Sequence, residues 1–176
     1  MSVIGKSIST GLDAVELRKK FDQTFAEPDL RQDATVEDFL AIRLGARCFA
    51  IPVAELIRID VGRKIVTLPG GDPWLLGLAN CQGRLVPVHD LELVLGYENS
   101  SAEKRWLLIH GQTNPLGLAF DAIEGYLRVA AANVLVAESS EFLRLAVRGN
   151  GGELRPVVNL PSIFATIQRR VSATTT

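Results

Sequence analysis

Apolar and polar residues alternate with two different periods along this chain. Between Leu12 and Ala26 the period is helical: Ala14, Leu17, Phe21 and Phe25 fall on one stripe, and Asp13, Arg18, Lys19, Lys20 and Asp22 lie mostly off it. The spacing predicts an amphipathic helix over about residues 12–26 and a polar linker, containing Pro28, that runs to residue 38. Such a helix either packs on its own domain or docks a partner. From Phe39 the pattern changes to short strands. FLAIRL (39–44) and CFAIPV (48–53) flank a turn at Gly45 and read as a hairpin. Further strands are expected at 57–59, 65–68, 85–88, 106–110, 116–120, 126–129, 142–148 and 154–158. Many short strands with Gly and Pro turns indicate a barrel or a sandwich. On CFAIPV, Cys48, Ala50 and Pro52 share one face and Phe49, Ile51 and Val53 the other. The bulkier set is expected in the core, with Phe39, Ile42 and Leu44.

One short pattern occurs twice. GRLVPVHDL at Gly83–Leu91 is echoed by GELRPVVNL at Gly152–Leu160, 69 residues on. Upstream, CFAIPVAELI at Cys48–Ile57 is echoed by PLGLAFDAIE at Pro115–Glu124, 67 residues on. Two similar offsets predict two copies of one small β-unit, each with five or so strands. Units of that size bury little surface alone, so they are expected to share an interface. After each copy of the motif, Asp90 or Asn159 is placed to cap a helix: a short one through Val94 ended by Gly96, and a second over Leu160–Gln168 with Pro161 in its first turn.

The stretch GLANCQGRLVPVHDL, Gly77–Leu91, concentrates the unusual features. Gly77 and Gly83 read as punctuation of a turn that re-aims the chain. Pro87 and its counterpart Pro156 cannot donate to a ladder, so an edge, a strand end or a bulge is expected there. Leu85 and Val86 are adjacent and apolar, which leaves both faces of their strand apolar. The strand is then either sandwiched between the two units or lines a partner groove. Trp74, beside Pro73, is a candidate for an exposed partner contact or for a plug at the barrel mouth. Arg84 is a candidate contact for an acidic partner or a decoration of an edge.

Composition narrows the function. The 176 residues carry 19 basic and 20 acidic side chains, a net charge of −1, which gives no basic excess for a nucleic acid. No apolar run approaches the roughly 20 residues that cross a bilayer, and the first residues lack the apolar stretch of a signal peptide, so a cytoplasmic protein without direct membrane insertion is expected. Cys48 and Cys81 form no CxxC and read as small buried hydrophobes. Enzyme chemistry has one weak foothold: Cys81, His89 and Asp90 lie close in sequence, and His110 is the second histidine. No nucleophile, metal or phosphate-binding motif accompanies them. No catalytic residue, metal or cofactor is therefore expected. The alternative of another class, a small enzyme or ligand-binding barrel, would need a pocket around His89 or His110.

The ordered set of motifs resembles the CheW-like domain of bacterial chemosensory adaptors. The resemblance starts at FLAIRLGARCFAIPVAELIRI and continues through IVTLPGGDP. It takes in Gly77, Asn80, Gln82, Gly83, Leu85, Val86, Pro87, Val88, Asp90 and Leu91, then WLLIHGQTNPLGLAFDAIEGYLRV and RPVVNLPSIF. It implies a mainly β fold of two intertwined five-stranded SH3-like barrels over residues 39–169, with an extension at 1–38 and a flexible tail at 170–176. It also implies a non-enzymatic adaptor. Such a protein couples the cytoplasmic tip of a chemoreceptor to the regulatory domain of a CheA-type histidine kinase, through barrel contacts and an apolar groove. It can also contact other CheW-like proteins. On this resemblance Arg58, Trp74, Asn80, Gln82, Gly83, Arg84, Leu85 and Val86 are the expected partner-binding residues, and Gly77, Pro87, Asp90, Pro156 and Asn159 the structural ones. One position departs from the pattern. The family's usual Arg in N-x-R-G is Gln82 here, and the Glu that often pairs with it aligns with Arg58. The expected replacement is a hydrogen bond from Arg58 to the Gln82 side-chain carbonyl. The departure points to a divergent array, such as one governing pili or development.

Overall fold

The computed structural model describes residues 36–69, 72–98, 103–111, 113–149 and 151–174. The expected helix at 12–26 lies outside them. The first hairpin is β1 (Val36–Leu44) and β2 (Arg47–Pro52), followed by β3 (Arg58–Val61), β4 (Ile65–Val66), β5 (Leu75–Cys81) and β6 (Arg84–Asp90). A short helix, α1 (Leu91–Val94), ends this copy. The second copy runs β7 (Trp106–His110), β8 (Leu116–Phe120), β9 (Ala122–Ala130), β10 (Val134–Ser140), β11 (Leu143–Arg148), β12 (Leu154–Val157) and α2 (Leu160–Thr174).

The strands form two six-stranded sheets, ordered β3-β7-β8-β6-β5-β4 and β9-β1-β2-β12-β11-β10. Advancing every strand of one sheet by six gives the order of the other, so the repeat read from the sequence is structural. Each copy's hairpin is exchanged: β1–β2 sits among β9–β12, and β7–β8 among β3–β6. The parallel contacts made by the hairpins are equivalent. Val88 pairs with Gly117 and Val157 with Ala50, which reproduces the offsets of 69 and 67.

The end strands of each sheet are consecutive in the chain. Only Gly62–Lys64 separates β3 from β4. That link reaches at most about 13 Å, while six strands laid flat span roughly 24 Å. The sheet must therefore curl into a barrel, with β3 and β4 acting as one bent strand. This reconciles six assigned strands with the five expected. Residues Ala131–Asn133 do the same between β9 and β10.

Three apolar clusters follow. Ala79, Cys81, Val86, Val88, Leu107, Ile109 and Ala119 fill the first barrel (β3–β8), and Phe39, Ala50, Val129, Val147 and Val157 fill the second. The largest lies between the barrels. It includes Ile42, Leu44, Phe49, Ile51, Leu108, Leu118, Phe120, Leu160, Ile163 and Ile167. The bulky face of β2 thus packs on the other barrel, and its small face, Ala50, points into its own. Small residues such as Ala50, Ala79 and Ala119 stand among the larger ones in the barrel interiors, where chains approach closely. A Cβ on Gly117 would sit 2.8 Å from the Leu107 side chain.

Several expectations need correction. The sequence pattern predicts no strand at Leu75–Cys81 or Val134–Ser140, yet β5 and β10 form there. Gly77 is inside β5 rather than in a turn, where the chain of β4 crosses so closely that a Cβ would lie 2.1 Å from the Val66 carbonyl oxygen. Pro87 is not at an edge or a strand end. It sits in the middle of β6, the strand between β5 and β8. The two-residue turn makes Cys81 and Arg84 a hydrogen-bonded pair, so alternation leaves Pro87, opposite Leu78, with its nitrogen turned away from β5. On that other side the β8 ladder begins only at Val88, so no donor is missed. Pro156 is equivalent, one residue before the Val157–Ala50 contact. Both caps form as expected: Asp90 accepts from Glu92 N at 2.9 Å, and Asn159 from Ser162 N at 3.1 Å. The second helix runs on to Thr174, so the expected flexible tail begins as helix.

Candidate functional site

The β5–β6 hairpin presents the first group of expected residues. Its turn is Gln82-Gly83, with φ of 55° and 80°, and Asn80 Oδ1 closes it by accepting from Gly83 N at 2.9 Å. Two successive positive φ values are what a tight hairpin requires, and Asn-Gly fits it best. Gln82 is the only non-glycine with positive φ among the described residues. Its side chain therefore stands at the tip of a turn held by Asn80 and Gly83. Gln82→Asn should raise stability by about 0.5–1 kcal/mol, seen as a higher urea midpoint at unchanged slope.

Arg58 does not reach Gln82. It makes a two-point bond to Asp60, Nε to Oδ1 at 2.7 Å and Nη2 to Oδ2 at 2.8 Å, and Arg63 Nε joins Oδ2 at 3.0 Å. Arg58 and Asp60 are two apart on a strand and so share a face, which brings a carboxylate into reach before any distant amide. Burial would raise the Asp60 pKa, but the Arg58 and Arg63 guanidiniums outweigh it and hold it below the ordinary value. What faces Gln82 instead is the β3–β4 turn. Gly62, Arg63 and Lys64 enclose a shallow recess with Asn80, Gln82 and Gly83.

The other candidates separate. Val86 is buried in the first barrel, whereas Leu85 points outward and is 69% exposed. Ordinary strand alternation, not a sandwich, explains their adjacency. Trp74 is half-buried: it packs against the inter-barrel core, and the Arg170 guanidinium lies 3.8 Å over its ring. Arg84 Nη2 donates to the Thr113 carbonyl at 2.8 Å and ties β6 to the following hairpin. The outward face of β6 continues from Leu85 to Pro87, which stands opposite Leu78, itself opposite the exposed Val66. Beyond Pro87 an open groove runs between the barrel and α2, lined by Pro115, Leu116, Gln168 and Val171.

The enzyme alternative loses its geometry. Cys81 faces the barrel interior with Val86, and His89 faces the opposite side, opposite Leu118 of the inter-barrel core. Burial pushes the His89 pKa down. His110 is stacked on Phe164 at 4.1 Å.

Sequence reasoning missed one group entirely. Lys104 Nζ lies 2.7 Å from Asp121 Oδ1, 2.9 Å from Glu92 Oε2 and 3.6 Å from Asp90 Oδ1, all four side chains being at most 9% exposed. The Asp121 carboxylate also accepts from Gly45 N, and Arg47 approaches Glu92 while covering Tyr97. The cluster thereby clamps the β1–β2 hairpin of the second barrel to the α1 corner of the first. Near the other helix, Glu55 Oε2 accepts from Leu160 N at 3.2 Å. The signal was Asp-Leu-Glu at a helix start, but nothing in the sequence points from there to Lys104.

A double barrel whose distinctive surfaces are a hairpin tip, an apolar strip and an open groove, with its histidines apart, is a protein-docking module. The CheW-like domain family model matches residues 38–168, and the chain belongs to that family of non-enzymatic scaffolds. Protein PilI of Pseudomonas aeruginosa is 34% identical over 88 residues, 49% of this chain and 49% of that protein, so the match spans about half of each. Chemotaxis protein CheW of Rhizobium meliloti is 24% identical over 142 residues, 77% of this chain and 92% of that one. Among solved structures, the scaffolding protein TtCheW of Thermoanaerobacter tengcongensis superposes with a TM-score of 0.61 at 13% identity, over 70% of this chain and 88% of that one, a likeness of fold. No helix among the described residues is long and apolar enough to cross a membrane.

Proposed function

We propose that this chain couples a chemoreceptor to a CheA-type histidine kinase, holding the two at fixed spacing on the inner face of the membrane. The observation that carries the reading is the outward apolar strip of Val66, Leu78, Leu85 and Pro87, continuous with the groove beside α2. A helical receptor tip buries apolar side chains at i, i+3, i+4 and i+7, and a strip beside a groove suits that pattern. The kinase's regulatory domain would contact barrel surfaces away from the strip, so one adaptor engages both and the array gains strength from multivalency.

Leu85→Asp tests this. It places a charge at the centre of the strip on a side chain that contributes little to the core. Receptor capture should fall by about 30-fold or more, while Tm stays within about 2 °C of the parent. Pull-down with a receptor cytoplasmic fragment and with the kinase regulatory domain reads both arms. Retained receptor capture at parental affinity would sink the reading.

A second reading, an adaptor for a non-flagellar system such as type IV pili, has one observation in its favour. Identity to PilI is 34% over its span, against 24% to the Rhizobium chemotaxis protein over a longer one.

A further inference from the structure

We propose that the recess between the β3–β4 and β5–β6 turns anchors a carboxylate-bearing segment of a partner, with Arg63 and Lys64 as the residues that set this specificity. The inference deepens the adaptor reading and rests on it. Gly62, Arg63, Lys64, Asn80, Gln82 and Gly83 form the recess. Its charge is unbalanced. Arg58 and Arg63 share the single carboxylate of Asp60, and Lys64 has no ion-pair partner among the described residues. Three cations thus stand against one partly buried anion.

The second barrel shows that the fold does not require this. The offset of 69 relates Gly62, Arg63 and Lys64 to Ala131, Ala132 and Asn133, and Asn80, Gln82 and Gly83 to Gly149, Gly151 and Gly152, so the equivalent turns of the second barrel carry no charged side chain at these positions. The surplus belongs to the first barrel alone. It lies in a concave, partly screened place, where a partner's charge interacts more strongly than on a flat surface. Gln82 suits the same occupant, because its amide can donate to a carboxylate without adding charge. The site is distinct from the apolar strip on the outer face, so an acidic segment and an apolar helix face can be bound together.

The test is a ¹⁵N-HSQC titration of the full chain with hexaglutamate at low salt, repeated with inorganic phosphate at matched ionic strength. Hexaglutamate should shift the resonances of residues 62–64 and 80–83 and few others. Arg63→Glu/Lys64→Glu should weaken that binding by about tenfold or more, and Arg63→Gln/Lys64→Gln by an intermediate factor. Scattered shifts, or a charge-reversed variant within about twofold of the parent, would overturn the proposal. So would equal shifts with phosphate, which would mean general anion adsorption. Receptor capture that depends on Leu85 while hexaglutamate fails to bind would remove the acidic anchor and leave the adaptor reading standing. Loss of the Leu85 dependence with hexaglutamate binding intact would do the reverse.

Discussion

Lys104→Met should be among the most destabilising single substitutions in this protein. Among the described residues, Lys104 is the buried cation of the cluster it forms with Asp90, Glu92 and Asp121, and its own side chain is 9% exposed. Removing it leaves three carboxylates crowded out of water, a change that costs about 3–5 kcal/mol. For a domain of this size that lowers Tm by roughly 10 °C or more. Arg47 cannot compensate, because it approaches only Glu92, at 3.8 Å, from an exposed position. A thermal melt at neutral pH checks the size of the effect, and a loss below about 1 kcal/mol would mean the cluster is hydrated.

The pH dependence has a definite sign. Burial pushes the Asp90 pKa up, and the charge of Lys104 offsets only part of that. A carboxylate whose folded pKa lies above its unfolded one gains stability as pH falls towards the folded pKa, because the folded state takes up the proton first. Without Lys104 the offset disappears, so Lys104→Met should recover stability on mild acidification more than the parent does. Lys104 titrates the other way. Burial alone would lower its pKa, but hydrogen bonds to Asp121 and Glu92 and the Asp90 charge raise it above the ordinary lysine value. Its stabilisation is complete below the unfolded lysine pKa and is lost as pH rises through the folded one. The parent should therefore lose stability at strongly alkaline pH, and Lys104→Met should lack that limb.

What was readable in the sequence depended on how locally each feature is determined. The caps at Asp90 and Asn159, the hairpin at Gly45 and the duplicated motif were legible because each rests on neighbours a few residues away. β5 escapes the sequence pattern because Gly77 reads as a turn residue, when it is glycine for a close chain crossing inside the strand. The Arg58 pairing went astray for a related reason: alignment named a distant partner, while Asp60 two residues on decided the matter. Lys104 lay beyond reach because its partners are 12 to 17 positions away and follow no period. Leu85 and Trp74 were visible as residues, but only the barrel says that one faces water and the other a core.

Neither half of the chain should fold alone, although each contains a full copy of the repeat. Cut between residues 98 and 103, the first half retains β1–β6 and the second β7–β12. The hairpin β1–β2 then loses β9, its partner along eight positions, and β12. The first barrel loses β7 and β8 from the middle of its sheet, which separates β3 from β6. The inter-barrel cluster is divided too, with Ile42, Phe49 and Ile51 on one fragment and Leu118, Phe120, Ile163 and Ile167 on the other. A typical domain has only about 5–15 kcal/mol of net stability, and two missing central strands with half of the largest core exceed it. Fragments 36–98 and 103–176 should each give disordered far-UV circular dichroism and no cooperative melt. Mixed at equal concentration they should regain a sheet spectrum as a one-to-one complex. A cooperative melt from either fragment alone would show that the hairpin exchange contributes little, and that each repeat can close a barrel with its own hairpin. The same exchange means that a strained or truncated hairpin in one barrel is felt in both, so the surfaces of the two barrels cannot be destabilised independently.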